Sequence, residues 1–223
     1  MAVTHMRAAV LGTVGQPMRI ESIPVPEPRD GEVLVKVHAC GVCHTDLHVM
    51  KGEVAFPTPC VLGHEISGRV AAVGPRVEGF ALGEAVVSSF IMPCGECYYC
   101  VRGQDDLCEK FFAYNRLKGT LYDGETRLWR DDGSPLWMYS MGGLAEYAVV
   151  PATDVFHLPP EIPMAEACIL GCALFTAYGA LRNAAGLVGG ESVAGTTAYS
   201  ARPPIEYIHK GEPSSRQRRV SPS

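Results

Sequence analysis

Between Pro93 and Glu109 the chain reads CGECYYCVRGQDDLC, setting four cysteines at the spacing C-x2-C-x2-C-x7-C. No other feature constrains the fold as strongly, because one compact lobe can wrap thiolates at these spacings around a single ion. Four sulfurs with no open coordination position make a closed structural zinc site. An iron–sulfur cluster is the alternative, but the ferredoxin run has three residues before its last cysteine and then a proline. Here seven residues intervene and Glu109 follows. Cys94, Cys97, Cys100 and Cys108 are therefore read as structural zinc ligands, with a cluster as the competitor.

Around this lobe the sequence is punctuated into short strands. RAAVL, MRIESI, EVLVKVHAC, SGRVAAVG, GEAVVSSF and GLAEYAVV are separated by proline and glycine clusters such as PVPEPRDGE, a spacing that predicts a barrel or sandwich of antiparallel strands up to about residue 157. From Pro163 the pattern turns helical and runs to about Gly186. The apolar run from Ala167 to Leu181 is 15 residues long, short of the roughly 20 that a membrane span needs, and predicts a buried helix. Residues 111–141 carry both tryptophans and several tyrosines; they read as a loop-like excursion long enough to have a function.

The context of the other thiols comes from the N-terminus and the charge. No secretory signal is visible after Arg7, so a reducing, cytoplasmic setting is expected and the nine cysteines read as metal ligands or core residues. Cys40, Cys60 and Cys168 fall in the second group. Residues 196–223 hold five basic and two acidic groups, which leaves −8 on residues 1–195. That body offers no basic surface for nucleic acid or for an anionic membrane.

A second constellation is dispersed. GVCHTDLHVMKG supplies Cys43, Thr45, Asp46 and His48, and VLGHEISG supplies His64 and Glu65. By themselves these residues are better read as local structure: Thr45 and Asp46 as caps of a short helix starting near Cys43, His48 as a surface residue, His64 as a satisfied core histidine.

Taken together and in order, GVCHTDLHV, GHEISGRVAAVG, the four-cysteine lobe and CILGCALFTAYGAL resemble the zinc-dependent medium-chain alcohol dehydrogenases over about residues 6 to 194. NRLKGTLYDGETR resembles the segment that follows the lobe in the long-loop branch. The resemblance implies a mainly β fold, a distorted GroES-like barrel with the four-cysteine lobe and a few short helices; no complete Rossmann domain is expected, because the glycines near the end of the resemblance are mis-spaced for one. It implies three domain segments: a catalytic domain over 1–160 with the lobe at 91–110, a helical connection and strand stub over 161–194, and a non-family tail over 195–223.

The same resemblance assigns roles. Cys43, His64 and Cys172 become the ligands of a catalytic zinc, with the fourth position left to water or alcohol and Glu65 beside the metal. Thr45 becomes the hydroxyl that accepts the substrate proton, His48 the group that passes it to solvent, and Asp46 the carboxylate that orients His64. Val54 and Phe90 fall where the family lines its substrate channel, though each is equally plausible as core. The implied reaction converts an alcohol to an aldehyde or ketone with hydride transfer to NAD(P).

The coenzyme seat is the missing part. In the family the strand beginning at Ser192 leads to a G-x-G-x-x-G turn that cradles the pyrophosphate. Gly186, Gly189, Gly190 and Gly195 are mis-spaced for it, and Thr196 onward reads as a serine- and proline-rich tail. The chain is thus expected to be a truncated relative, not competent for NAD-linked turnover alone. The expected partners are a small alcohol or aldehyde and, in a non-catalytic alternative, a full-length relative. A basophilic kinase site at Ser221 is a further sequence reading.

Overall fold

Alternation builds the first strand: along β1 (His5–Leu11) Met6, Ala8 and Val10 are buried while His5 and Arg7 face water. The structure is a computed structural model that describes residues 4–191. The remaining elements, in chain order, are β2 (Arg19–Pro24), β3 (Glu32–Cys40), α1 (His44–Lys51), β4 (Cys60–Val61), β5 (Ile66–Val73), β6 (Ala85–Ser88), β7 (Leu128–Trp129), β8 (Pro135–Met138), β9 (Tyr147–Pro151), β10 (Val155–His157), α2 (Met164–Ala167) and α3 (Ala173–Gly179). The described residues divide into two units, one up to Ala173 and one from Leu174.

The first unit is two five-stranded sheets, ordered β2-β1-β4-β8-β7 and β10-β6-β5-β3-β9. The mainly β fold with few short helices expected from the sequence is the one observed. All pairings are antiparallel except β4 with β8, where Cys60 faces Trp137 and Val61 faces Met138 in parallel register. The expectation of purely antiparallel strands is corrected here. More than seventy residues separate these two strands, enough chain to return to the same end of the sheet, and parallel pairing needs such a crossover. β3 lies between β5 and β9, so its first half, Glu32 to Val35, is buried throughout instead of alternating.

The core between the sheets joins Val10, Ile23, Val33, Val35, Ile66, Val70, Val86 and Val149, each worth about 1.5–3 kcal/mol on full burial. Residues 111–141 are not a loose excursion. They form a π-helical turn, Phe111–Arg116, and strands β7 and β8, and they bury Phe111, Leu121, Leu128, Leu136, Met138 and Tyr139. Asn115 locks them: its amide nitrogen donates to Ser140 O at 2.8 Å and its oxygen accepts Ser140 N at 2.9 Å. Arg127, 5% exposed, adds a two-point bond to buried Glu32 on β3 at 2.6 and 3.0 Å. Long-range partners of this kind leave no periodic trace in the sequence.

The apolar run from Ala167 is not one buried helix. Ala167 and Cys168 are buried, but at Cys172 the backbone leaves the helical region, φ −143° and ψ −70°, so the register that buries them is not continued. In the second unit Leu174, Phe175, Tyr178 and Leu181 are exposed along α3 and the π-helical turn Ala180–Ala184. Among the described residues no single helix is long and apolar enough to cross a membrane. The expected strand at Ser192, the tail and Ser221 lie outside the described residues.

Candidate metal centres

The lobe closes as its spacing demands. Cys94 follows Pro93, Cys100 opens a 3-10 turn (Cys100–Arg102), and Cys108 directly follows a second one (Asp105–Leu107). The four Sγ atoms all lie within 4.8 Å of one another. Cys94 and Cys97 stand 3.9 and 3.5 Å from Cys100, far beyond a disulfide's roughly 2.05 Å, and all nine cysteines are free. Backbone amides of Cys94 and Phe111 point at Cys108 Sγ (3.3 and 3.4 Å), and that of Cys97 at Cys94 Sγ (3.4 Å). Such donors stabilise negative sulfur.

The thiols answer unequally. The backbone amide of Cys100 and its neighbours draw Cys97 down to about 6, whereas burial pushes Cys100 and Cys108 up. Four thiolates in one lobe repel each other, so without a cation they cannot all ionise. Four sulfurs at this separation suit a divalent, thiophilic ion such as zinc.

The second centre draws on three segments. Cys43 is the N-cap of α1, with extended backbone (φ −94°, ψ 157°), and its Sγ accepts Thr45 N at 3.5 Å. Asp46 completes a capping box by accepting Cys43 N at 3.0 Å, and its other oxygen accepts Gly63 N at 3.1 Å, next to His64. One carboxylate thus joins the helix start to the loop that carries the histidine. Gly41 makes the remaining approach possible, since a Cβ there would stand 2.1 Å from Glu65 Oε2. Sγ of Cys43 and Cys172, a ring nitrogen of His64 and a carboxylate oxygen of Glu65 come within 4.8 Å of one another.

His64 is 0% exposed, and both of its ring nitrogens lack a hydrogen-bond partner. Asp46 Oδ1 stands 3.4 Å from Nδ1, acting on the ring as a charge and not as a formed hydrogen bond. Burial alone would lower the His64 pKa, but Asp46, Cys172 and Cys43 outweigh it and raise it to about 10. Burial would raise Cys43, yet the hydroxyl and amide of Thr45, with His64, carry it below the ordinary thiol value. His64 favours thiolate at Cys172, but burial and the neighbouring Cys43 and Glu65 win and raise it. A buried imidazole with no formed hydrogen bond, facing two sulfurs and a carboxylate, is a donor set that fits zinc.

The other expected residues are placed as follows. Thr45 Oγ1 lies 3.5 Å from Cys43 Sγ, at the edge of this cluster. His48 is partly exposed, pairs through Nδ1 with the Glu53 carboxylate, and has its ring 4.6 Å from that of His44. Phe90 lays its ring 4.3 Å from His64 and packs on Tyr139 and Phe111. Val54 packs against the small core of Leu11, Val49, Cys60, Leu62 and Tyr139. Of the cysteines read as apolar, Cys60 and Cys168 are buried and Cys40 is half-buried.

Residues 29–160 match the family model of the alcohol dehydrogenase GroES-like domain. The chain belongs to that family. It is 37% identical over 195 residues to alcohol dehydrogenase class-3 of Myxine glutinosa and 39% identical over 192 residues to S-(hydroxymethyl)glutathione dehydrogenase of Synechocystis sp.. The alignments take in 86% and 84% of this chain but 51% of each relative. A solved alcohol dehydrogenase zinc-binding domain protein from Burkholderia ambifaria superposes with a TM-score of 0.80 at 38% identity, over 87% of this chain and 52% of that one. The chain therefore spans about half the length of the curated relatives it matches.

Within this alcohol dehydrogenase GroES-like domain, Tyr139 escaped sequence reading. It is 1% exposed, with its ring 6.0 Å from that of His64. It sits in the segment read as loop, where no periodicity could mark it as core. The backbone bond from Phe90 N to Gly171 O, 3.1 Å, which seats the residue before Cys172, likewise has no local signature.

Proposed function

We propose that this chain carries the alcohol-handling half of a zinc-dependent alcohol dehydrogenase, its domains divided as the sequence suggests. In this reading Cys43, His64 and Cys172 hold a catalytic zinc with Glu65 beside it, and Cys94, Cys97, Cys100 and Cys108 hold a structural one. The observation that carries it is the fully buried His64, with both ring nitrogens unpartnered, facing two sulfurs. When bound, the catalytic zinc supplies a Lewis acid that lowers the pKa of an alcohol hydroxyl.

The protein's own groups do the rest. Thr45 offers a hydroxyl beside Cys43 to take the substrate proton, His48 faces solvent where that proton can leave, and Asp46 fixes Cys43 and the His64 loop together. Phe90 and Val54 present apolar surface to the substrate, a small alcohol or aldehyde. Hydride acceptance by NAD(P) falls to residues outside this set, so these 223 residues alone do not sustain NAD(P)-linked turnover. Elemental analysis tests the reading: two zinc per chain supports it, and one or none sinks it.

A second reading, a non-catalytic zinc module that pairs with a full-length relative, is favoured by the exposed apolar side chains of Leu174, Phe175 and Tyr178. Co-purification with a tagged full-length relative supports it, and a monodisperse monomer in the presence of that relative counts against it.

A further inference from the structure

None of these roles uses the carboxyl of Asp154, 0% exposed on the turn Ala152–Asp154 between β9 and β10. It accepts three hydrogen bonds from one residue: Ser89 Oγ at 2.5 Å and Ser89 N at 3.2 and 3.3 Å. Ser89 opens a strap, residues 89–94, that runs from the His64 side of the molecule to the first cysteine of the lobe. The strap is pinned along its length. Ser140 Oγ donates to Phe90 O at 2.8 Å, the Tyr122 hydroxyl to Met92 O, and Thr153 Oγ1 to Pro93 O.

The start of the strap bears on the candidate catalytic centre twice. Phe90 sets its ring 4.3 Å from His64, and its amide donates to Gly171 O at 3.1 Å. Gly171 is pressed so closely to the strap that a Cβ would meet Ser88 O at 2.0 Å and Ser89 Cα at 2.9 Å. Cys172 therefore hangs from a backbone whose position is set at residues 88–90.

We infer that Asp154 is a positioning residue for the Cys43, His64 and Cys172 centre, fixing through Ser89 both the carbonyl that seats Cys172 and the ring that Phe90 lays on His64. The inference rests on the zinc reading above. Without Asp154 the Ser89 hydroxyl keeps Ile91 O, 3.1 Å away, but the Ser89 amide is left unpaired, at a cost large enough to move the strap. Metal–ligand distances keep within about 0.2 Å of their standard values, so a movement there is felt as lost affinity. Burial pushes the Asp154 carboxyl well above its ordinary value, so a neutral side chain of the same shape should serve equally.

The test loads the full 223-residue chain with cobalt(II), whose absorption reports ligand set and geometry, and titrates the two equivalents against a chelator. For Asp154→Ala the tetrathiolate equivalent is expected unchanged, while the other weakens about tenfold or more and its band shifts. Asp154→Asn should restore both. Should Asp154→Ala fail to melt cooperatively, Ser89→Ala, which removes a hydroxyl alone, carries the test in the same direction.

A wild-type-like second equivalent in Asp154→Ala, or in Ser89→Ala where that variant carries the test, overturns the inference, as does an Asp154→Asn that behaves like the alanine variant. A wild-type chain that takes one equivalent only overturns the zinc reading itself, and this inference with it.

Discussion

Asp46 Oδ1 and His64 Nδ1 stand 3.4 Å apart with both side chains sealed from water, and the same Asp46 caps α1 at Cys43. One residue thereby stands at both the helix start and the histidine. The cap reading and the orienting role for Asp46 are not exclusive, because both use one carboxylate with two oxygens.

Asp46→Asn should separate the two. The amide oxygen can still accept Cys43 N while the nitrogen beside it cannot accept Gly63 N, so the melting temperature is expected to fall by a few degrees and the charge beside His64 is lost. Affinity for the second metal equivalent should fall about 10–100-fold, measured by chelator competition. Unchanged affinity would mean that Asp46 is a cap alone.

Loss of one lobe sulfur should be global. Cys97→Ser is expected to bind one zinc fewer and to lose cooperative melting of the first unit, because structural zinc contributes directly to folding. The purified wild-type chain should be colourless. Visible absorption with stoichiometric iron and sulfide would instead assign the lobe to a cluster.

The Arg127–Glu32 pair is buried on both sides, at 4% and 9% side-chain exposure. Arg127→Met should cost about 3–5 kcal/mol by leaving Glu32 an unpaired buried charge. Adding Glu32→Gln should recover part of it, read by urea unfolding. A fully additive double variant would show that the pair is not coupled.

Asp154 gives a pH dependence with a defined sign. Its folded pKa lies well above the ordinary 3.8, so as pH rises the unfolded chain ionises first. The stability of the neutral buried form is complete below about 4 and declines as pH climbs toward the folded pKa. Asp154→Asn has no such loss. Its melting temperature relative to wild type should increase steadily from pH 4 to 7, and a flat difference would contradict the burial argument.

Titration of the 223-residue chain with NADH is expected to show no micromolar binding by fluorescence, since its sequence contains no G-x-G-x-x-G turn. A micromolar Kd would place a coenzyme seat where the sequence offers none.

The sequence by itself determined the lobe, because C-x2-C-x2-C-x7-C is a local geometry that closes on its own thiols, and it determined the longer strands, because alternation and β-branching are local properties. Cys43, His64 and Cys172 are singled out only by the resemblance of their segments to the family, not by any period or spacing of their own. Only the tertiary structure decided that residues 111–141 pack as core, that β4 and β8 run parallel, that the run after Ala167 breaks at Cys172, and that Asp154 bonds Ser89. Each of these depends on partners tens of residues away, and a pairing across such distances leaves no period or spacing in the chain that makes it.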